Sequence, residues 1–217
     1  MRIRKQEPAL FGGQPVIAFD NELDRRRFLR GAAIIGVGST LAVRTLRDPS
    51  ALAQASTSDL EILNYALTLE YLEADFYAQG IAGGILEGRE LELVDPIAQH
   101  EAAHVAALTD TINQLGGTPA AKPQFTYPDG TFTDRNMFLT NASVFEELGV
   151  TAYHGQVTVI ESVDILAAAA AIAGVESRHA AILADLTGGN PFPAPIEGTA
   201  TMEEVLAAAA PFIEGGS

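Results

Sequence analysis

The sequence predicts an all-α protein: an antiparallel four-helix bundle with one long crossover and a short C-terminal helix. Apolar residues recur every three or four positions in four long segments, which is the spacing of helices that bury one face in a bundle. A pair of glycines follows three of these segments, and glycine readily ends a helix. No long stretch shows the alternation of polar and apolar residues that is typical of a half-buried strand.

The first two helices are predicted from these seams. The first starts at Leu60, with Ser58 or Asp59 as its cap, and ends at the glycine pair 83–84. Its inward positions are Leu63, Leu67, Glu70, Ala74, Tyr77 and Ile81. The second helix is expected from about Glu90 to Leu115. Its inward positions are Val94, Ile97, Glu101, His104, Leu108 and Ile112.

A long connection separates the second helix from the third. Residues 118–133 contain three prolines and are too many for a tight turn, so we expect them to cross the length of the bundle. The third helix is predicted from about Asp134 to His154 and the fourth from about Ser162 to Leu186. The inward positions of the third are Leu139, Ala142, Glu146, Gly149 and Tyr153. Those of the fourth are Ile165, Ala169, Ile172, Glu176, His179, Leu183 and Leu186.

Residues 189–217 are interpreted as a C-terminal extension. Three prolines between positions 190 and 195 indicate an extended connector. Thr201 is the expected cap of a short helix from Met202 to Ala210. The sequence leaves open whether this extension packs on the bundle or joins two subunits, as in a homodimer.

Residues 1–53 differ from the rest of the chain in charge. They hold nine Lys/Arg and five Asp/Glu, whereas residues 54–217 hold four and 23, so a segment of net charge +4 precedes a remainder of net charge −19. The run Arg25-Arg26-Arg27-Phe28-Leu29-Arg30 precedes 13 small and apolar residues, and Ala51-Leu52-Ala53 follows as a cleavage site. This layout predicts an export signal.

The basic run resembles the twin-arginine signal. The resemblance implies that the twin-arginine export machinery carries the folded domain, residues 54–188, to the periplasm or the extracellular side. An N-terminal helix of the domain and a retained anchor are the alternatives. The net charge of −15 argues against nucleic acid as a partner, and the lack of Cys excludes disulfides, thiolate-bound zinc and iron–sulfur clusters.

Two Glu-x-x-His motifs lie on the predicted seams, Glu101–His104 on the second helix and Glu176–His179 on the fourth. Residues three positions apart project from one face of a helix, so the Glu and the His of each motif can reach one metal ion.

A single Glu and a Tyr precede each motif on the helix before it. They are Glu70 and Tyr77 in the first half of the domain and Glu146 and Tyr153 in the second. Corresponding residues of the two halves lie 75 or 76 positions apart, which indicates a repeated helical hairpin and a pseudo-twofold bundle. We expect the two tyrosines to donate hydrogen bonds to the single glutamates.

Four carboxylates and two imidazoles are thus predicted to converge in an apolar core. Buried carboxylates repel one another and are costly to desolvate, and two divalent cations would cancel their charge. Carboxylate and imidazole ligands suit iron or manganese. Glu73 lies three residues after Glu70 and is an extra ligand or a supporting group; its counterpart in the second half is Gly149, which favours the supporting position. Buried Glu–His pairs without metal, and a metal site without turnover, are the alternatives.

The six residues resemble the ligand set of the ferritin-like di-iron carboxylate superfamily. The segments around them are similar to the exported ferritin-like domain family that includes desiccation-related proteins: 63–77 (LNYALTLEYLEADFY), 101–104 (EAAH), 146–153 (EELGVTAY) and 176–179 (ESRH). The resemblance covers residues 58–188. It implies Glu70 and Glu146 as terminal ligands, Glu101 and Glu176 as bridging ligands, and His104 and His179 as one imidazole per metal.

The resemblance also implies a function. The expected protein is exported, binds two divalent iron or manganese ions, and performs redox chemistry with dioxygen, peroxide or Fe(II). Whether it is an enzyme is left open; if it is, the expected class is a ferroxidase or a peroxide-consuming oxidoreductase. The alternative is a non-catalytic stress- or desiccation-associated protein that sequesters metal or has a structural role.

Overall fold

The computed structural model describes residues 57–214, and the export signal predicted for residues 1–53 lies outside this part of the chain. Within it the predicted all-α class is confirmed. The helices are α1 (Thr57–Gly83), α2 (Gly88–Gln114), α3 (Arg135–Gln156), α4 (Val163–Leu186) and the short α5 (Met202–Ala209), which continues into a 3-10 turn (Ala210–Phe212). The described residues contain no strand beyond one isolated bridge between Phe125 and Ile213.

The bundle consists of two helical hairpins, α1 with α2 and α3 with α4, and neighbouring helices run antiparallel. Gly80 near the end of α1 lies against Phe138 near the start of α3. At the opposite end of the bundle, Asp59 accepts a hydrogen bond from the backbone N–H of Glu161. α3 therefore runs back along α1, as the predicted topology requires.

The long crossover follows α1 along its length, as predicted. The backbone N–H of Ala120 donates a hydrogen bond to Asn64 near the start of α1, at 2.6 Å. Phe132 at the other end of the crossover lies beside Gly83, the last residue of α1. The crossover therefore returns the chain to the end of the bundle where α1 finishes, and α3 begins there.

The start of α1 differs from the prediction. The helix begins at Thr57, three residues before Leu60, so Asp59 lies inside the first turn instead of capping it. Its carboxylate is fully buried and accepts hydrogen bonds from the backbone N–H groups of Glu161 (2.9 Å) and Ser162 (3.0 Å). These donors lie at the start of α4, where helical partners are lacking. Asp59 thus ties the α3–α4 loop to α1.

Two apolar layers enclose the middle of the bundle. The layer towards the end of α1 is aromatic: Phe76 stacks on Phe138 at 4.7 Å between ring centroids and meets the edge of Phe145 at 5.0 Å. The layer towards the start of α1 is aliphatic and includes Leu63, Leu67, Leu108, Ile112 and Ile165. The polar seam residues lie between these layers.

The sequence left open whether the C-terminal extension packs on the bundle, and in the structure it does. Thr201 caps α5 through a reciprocal capping box with Glu204, as predicted for Thr201. Val205 and Ala209 of α5 are fully buried. Ahead of α5, the backbone N–H of Ala200 donates a hydrogen bond to a carbonyl oxygen of α3 at 3.1 Å.

Among the described helices, α4 alone is long and apolar enough to cross a membrane by length and composition, with a mean hydropathy of 1.3. Core helices of bundles meet the same criterion. Glu176 and His179 of α4 face the buried polar seam and are themselves buried, so we assign α4 to the bundle.

Replacing Gly155 by Ala tests the docking of the extension. A Cβ at this position of α3 would lie 1.9 Å from the carbonyl oxygen of Ala200, so the extension must move. We expect the free energy of unfolding, measured in urea, to fall by about 1–3 kcal/mol. The control is Gly174→Ala, whose Cβ would meet nothing within 4 Å; it should gain about 0.5–1 kcal/mol of helix stability. Equal stability of the two variants would contradict the docked position.

Candidate metal centre

The structure brings the six predicted ligand residues together in the middle of the bundle. α1 and α3 each contribute one glutamate, and α2 and α4 each contribute a Glu-x-x-His motif. All four glutamates are fully buried, and the two histidines are 9% and 4% exposed. The six residues are Glu70, Glu101, His104, Glu146, Glu176 and His179.

The ligand atoms form two overlapping groups, and within each group they lie within 4.8 Å of one another. The first group contains Glu70, Glu101, His104 and Glu176. The second contains Glu101, Glu146, Glu176 and His179. Glu101 and Glu176 belong to both groups, which is the arrangement that bridging carboxylates require.

Both imidazoles direct the same nitrogen, Nδ1, at the carboxylates. Nδ1 of His179 lies 2.9 Å from Oε1 of Glu101 and 3.2 Å from Oε2 of Glu146. Nδ1 of His104 lies 3.1–3.2 Å from one oxygen of each of three carboxylates, those of Glu70, Glu101 and Glu176. Each histidine is therefore aimed at the cluster from its own helix.

The two tyrosines hold glutamates of the opposite hairpin. The hydroxyl of Tyr77 on α1 donates a hydrogen bond to Oε1 of Glu146 on α3, at 2.6 Å. The hydroxyl of Tyr153 on α3 donates one to Oε1 of Glu70 on α1. Because both donors are buried phenols, each fixes one carboxylate oxygen and leaves the other facing the cluster.

Glu73 contributes a fifth buried carboxyl group. It is 3% exposed, and it fits because position 149 has no side chain. A Cβ on Gly149 would lie 3.2 Å from Oε1 of Glu73 and 3.1 Å from Oε2 of Glu176. The repeat is therefore asymmetric here for a steric reason: a side chain at 149 would crowd two carboxylates. Glu73 lies beside the two ligand groups and belongs to neither.

The predicted seams do not include His100 or His154, and one contact of the centre was therefore missed by sequence reasoning. His100 is exposed, yet its Nδ1 lies 2.9 Å from Nε2 of His179, and the two rings stack at 5.1 Å. A hydrogen bond to the outer nitrogen of a ligating imidazole orients its ring. The available signal was the position of His100 one helical turn before His104. His154 instead contacts the carbonyl oxygen of Val150.

Burial and mutual repulsion shift the acid–base equilibria of the carboxyl groups. Burial raises the pKa of Glu70 to about 7, against the hydrogen bond from His104. Burial also raises the pKa values of Glu73 and Glu146, and the charge of Glu176 adds to both shifts. In the metal-free chain these groups therefore hold protons in a pH range where free glutamates are ionised.

The histidines shift because carboxylates surround them. Burial disfavours the imidazolium of His179, but Glu101 and Glu146 outweigh burial and raise its pKa to about 10. The pKa of His104 is raised by its neighbouring carboxylates in the same way. Burial and the charge of Glu176 act to raise the pKa of Glu101, yet the two neighbouring histidines lower it. Protons thus provide the positive charge that the carboxylates need in the absence of metal.

Three carboxylate oxygens in the described cluster are buried without a well-aligned hydrogen bond: Oε1 of Glu101 and both oxygens of Glu176. Two of them, Oε1 of Glu101 and Oε1 of Glu176, lie 2.9 and 3.2 Å from a histidine Nδ1. An unsatisfied buried acceptor costs about 1–3 kcal/mol, and more when it is charged. Cations bound by both ligand groups would satisfy all three oxygens. The residues present therefore fit a carboxylate- and imidazole-bound metal site.

The bundle topology and the buried Glu/His cluster define a ferritin-like helical protein with a candidate metal centre. The model of the ferritin-like domain family matches residues 58–189, and the chain belongs to that family. No curated protein matches the chain.

The metal-free protein should become less stable as the pH rises from about 5 to about 9. A carboxyl group with a raised pKa, such as Glu70, stabilises the fold fully below its unfolded pKa and loses this contribution as the pH passes its folded value of about 7. For His179 the corresponding loss extends to about pH 10. Both groups therefore lower the free energy of unfolding as the pH rises.

Urea denaturation in the presence of a chelator measures this slope. Glu73→Gln is the matched variant, because the amide imitates a protonated carboxyl group and cannot ionise; its stability should fall less steeply with pH. A free energy of unfolding that rises across this interval would contradict the proton-neutralised cluster.

Proposed function

We propose that this protein is an exported ferritin-like protein that binds a dinuclear iron or manganese centre and uses it in redox chemistry with dioxygen or peroxide. The observation that carries the proposal is the pair of overlapping ligand groups, which share Glu101 and Glu176 and contain buried carboxylate oxygens without well-aligned hydrogen bonds.

The ligand set matches two cations in number and charge. Each group offers three carboxylates and one imidazole, and four carboxylates in all balance two divalent ions. Oxygen and imidazole ligands without thiolates favour iron or manganese. Such ions, when bound, supply electron exchange with dioxygen or peroxide. Glu73, when ionised, adds one negative charge beyond this balance and so favours the more highly charged, oxidised state of the metal pair.

Side chains around the ligands hold the site in place. Tyr77 and Tyr153 fix the terminal carboxylates from the opposite hairpin, and His100 orients the ring of His179 from the surface. The aromatic and aliphatic layers exclude bulk water from the two ends of the cluster, which strengthens electrostatic contacts within it. These residues orient ligands and exclude water, and they need not contact the substrate.

Metal content is the first test. Elemental analysis of the full chain should find about two iron or manganese ions per molecule, as in the ligand pattern of di-metal bundles. Glu101→Gln should lose most of this metal because it removes a ligand that both groups share. The control is Glu147→Gln, whose side chain is exposed on the same bundle and should leave metal content unchanged. A wild-type protein that folds but takes up no metal would contradict the proposal.

Reactivity is the second test. Oxidation of Fe(II) by dioxygen or peroxide should be slower by at least about tenfold in Glu101→Gln than in wild type, and unchanged in Glu147→Gln. Equal rates in wild type and Glu101→Gln, with metal bound to the wild type, would instead favour the non-catalytic, metal-sequestering alternative.

The proposal of export rests on the basic run at residues 25–30 and the apolar segment after it. The segments around the ligands, such as residues 63–77, support the exported, desiccation-related type. Replacing Arg25 and Arg26 by Lys should leave the full chain in the cytoplasm of a bacterial host that has a twin-arginine translocase, as judged by cell fractionation. The control replaces Arg2 and Arg4 by Lys and should be exported. Export of both variants would rule out the twin-arginine route.

A further inference from the structure

An apolar cavity of about 70 Å³ lies in the aliphatic half of the bundle, between the Glu/His cluster and the end where α1 begins. All four long helices contribute to its wall. Nearly all of the wall is apolar, and it includes Leu63, Ala66, Leu108, Ile165, Ala169 and Ile172. Its wall includes the exposed Ala107 and Ala168, so the cavity opens towards the surface, and its apolar lining favours apolar molecules.

Tyr153 connects the wall of the cavity with the candidate metal ligands. Tyr153 lines the cavity, and its hydroxyl donates the hydrogen bond that holds Glu70. On α2, Leu108 lines the cavity one helical turn after His104. An occupant of the cavity would therefore lie next to the first ligand group, separated from it by the ring of Tyr153.

Tyr65 adds its ring to the wall of the same cavity and is 6% exposed. Its hydroxyl has no hydrogen-bond partner among the described residues, but it is closed off from the cavity, whose wall carries almost no polar surface. The cavity therefore offers an occupant no hydrogen bond.

We infer that this cavity holds dioxygen on its way to the metal centre. The inference rests on the proposed function and deepens it, because it selects dioxygen over peroxide as the oxidant. Dioxygen is apolar and loses no strong hydrogen bonds on leaving water, whereas hydrogen peroxide would give up several and gain none from the apolar wall. Size limits the occupant to a small molecule: an engineered cavity of about 150 Å³ admits benzene, so one of half that volume admits only smaller molecules, such as dioxygen.

Xenon is the probe for the cavity, and the metal-free full chain is the sample. Crystals under xenon pressure, or ¹²⁹Xe NMR in solution, should show xenon in the cavity of the wild type. Ala169→Leu should weaken xenon binding by at least about tenfold because the larger side chain fills the space. The matched control is Ala170→Leu, since Ala170 is exposed and does not line the cavity. If Ala169→Leu does not fold, Ala168→Phe replaces it in this experiment, because Ala168 lies at the exposed rim of the cavity.

Iron-loaded protein then tests the selection of the oxidant. Ala169→Leu should slow oxidation by dioxygen by about tenfold and leave oxidation by hydrogen peroxide within about twofold of wild type. An absence of xenon from the wild-type cavity, or equal slowing with both oxidants, would overturn the inference. A wild type that binds xenon but takes up no metal would overturn the proposed function, and with it the role of the cavity, so the two failures are distinguishable.

Discussion

The structure depends on neutralising five carboxyl groups that are buried side by side in an apolar bundle. In the metal-free chain protons do this: burial holds Glu70, Glu73 and Glu146 partly or fully protonated, while the two histidines become cations. Metal ions at the candidate centre would require the four glutamates and two histidines of the ligand groups in their deprotonated forms. Cations and protons therefore compete for one set of atoms, and stability, pH and metal content are linked in this domain.

The second constraint is that neither hairpin completes the cluster alone. Each half of the repeat supplies one glutamate, one Glu-x-x-His motif and one tyrosine, but the tyrosine bonds to the glutamate of the other half. A buried carboxylate would lose its phenol donor if the hairpins shifted along one another. The two hydrogen bonds thus select the register of the hairpins as well as the orientation of Glu70 and Glu146.

Much of this arrangement was predictable from periodicity, because the inward face of a helix follows from its spacing. In α2 the predicted inward positions are the same six residues that are buried in the structure. Periodicity does not predict the distance between the faces of two different helices. The contact of His100 with His179, the use of Asp59 across the bundle and the cavity beside Tyr153 all depend on how the helices are rotated and packed. The sequence shows that position 149 is a glycine, but it does not show that a side chain there would crowd Glu73 and Glu176.

The departures from the repeat show that the two ligand groups have different surroundings. The group with His179 contacts the exposed His100 of the first half, and the equivalent of His100 in the second half is Val175. The group with Glu70 adjoins the apolar cavity through Tyr153. One side of the cluster therefore faces water through an imidazole that can exchange protons, and the other faces a space suited to an apolar molecule. A duplicated hairpin provides the Glu and His residues of the cluster twice, whereas these two surroundings are each provided once, and the proposed redox chemistry would use both.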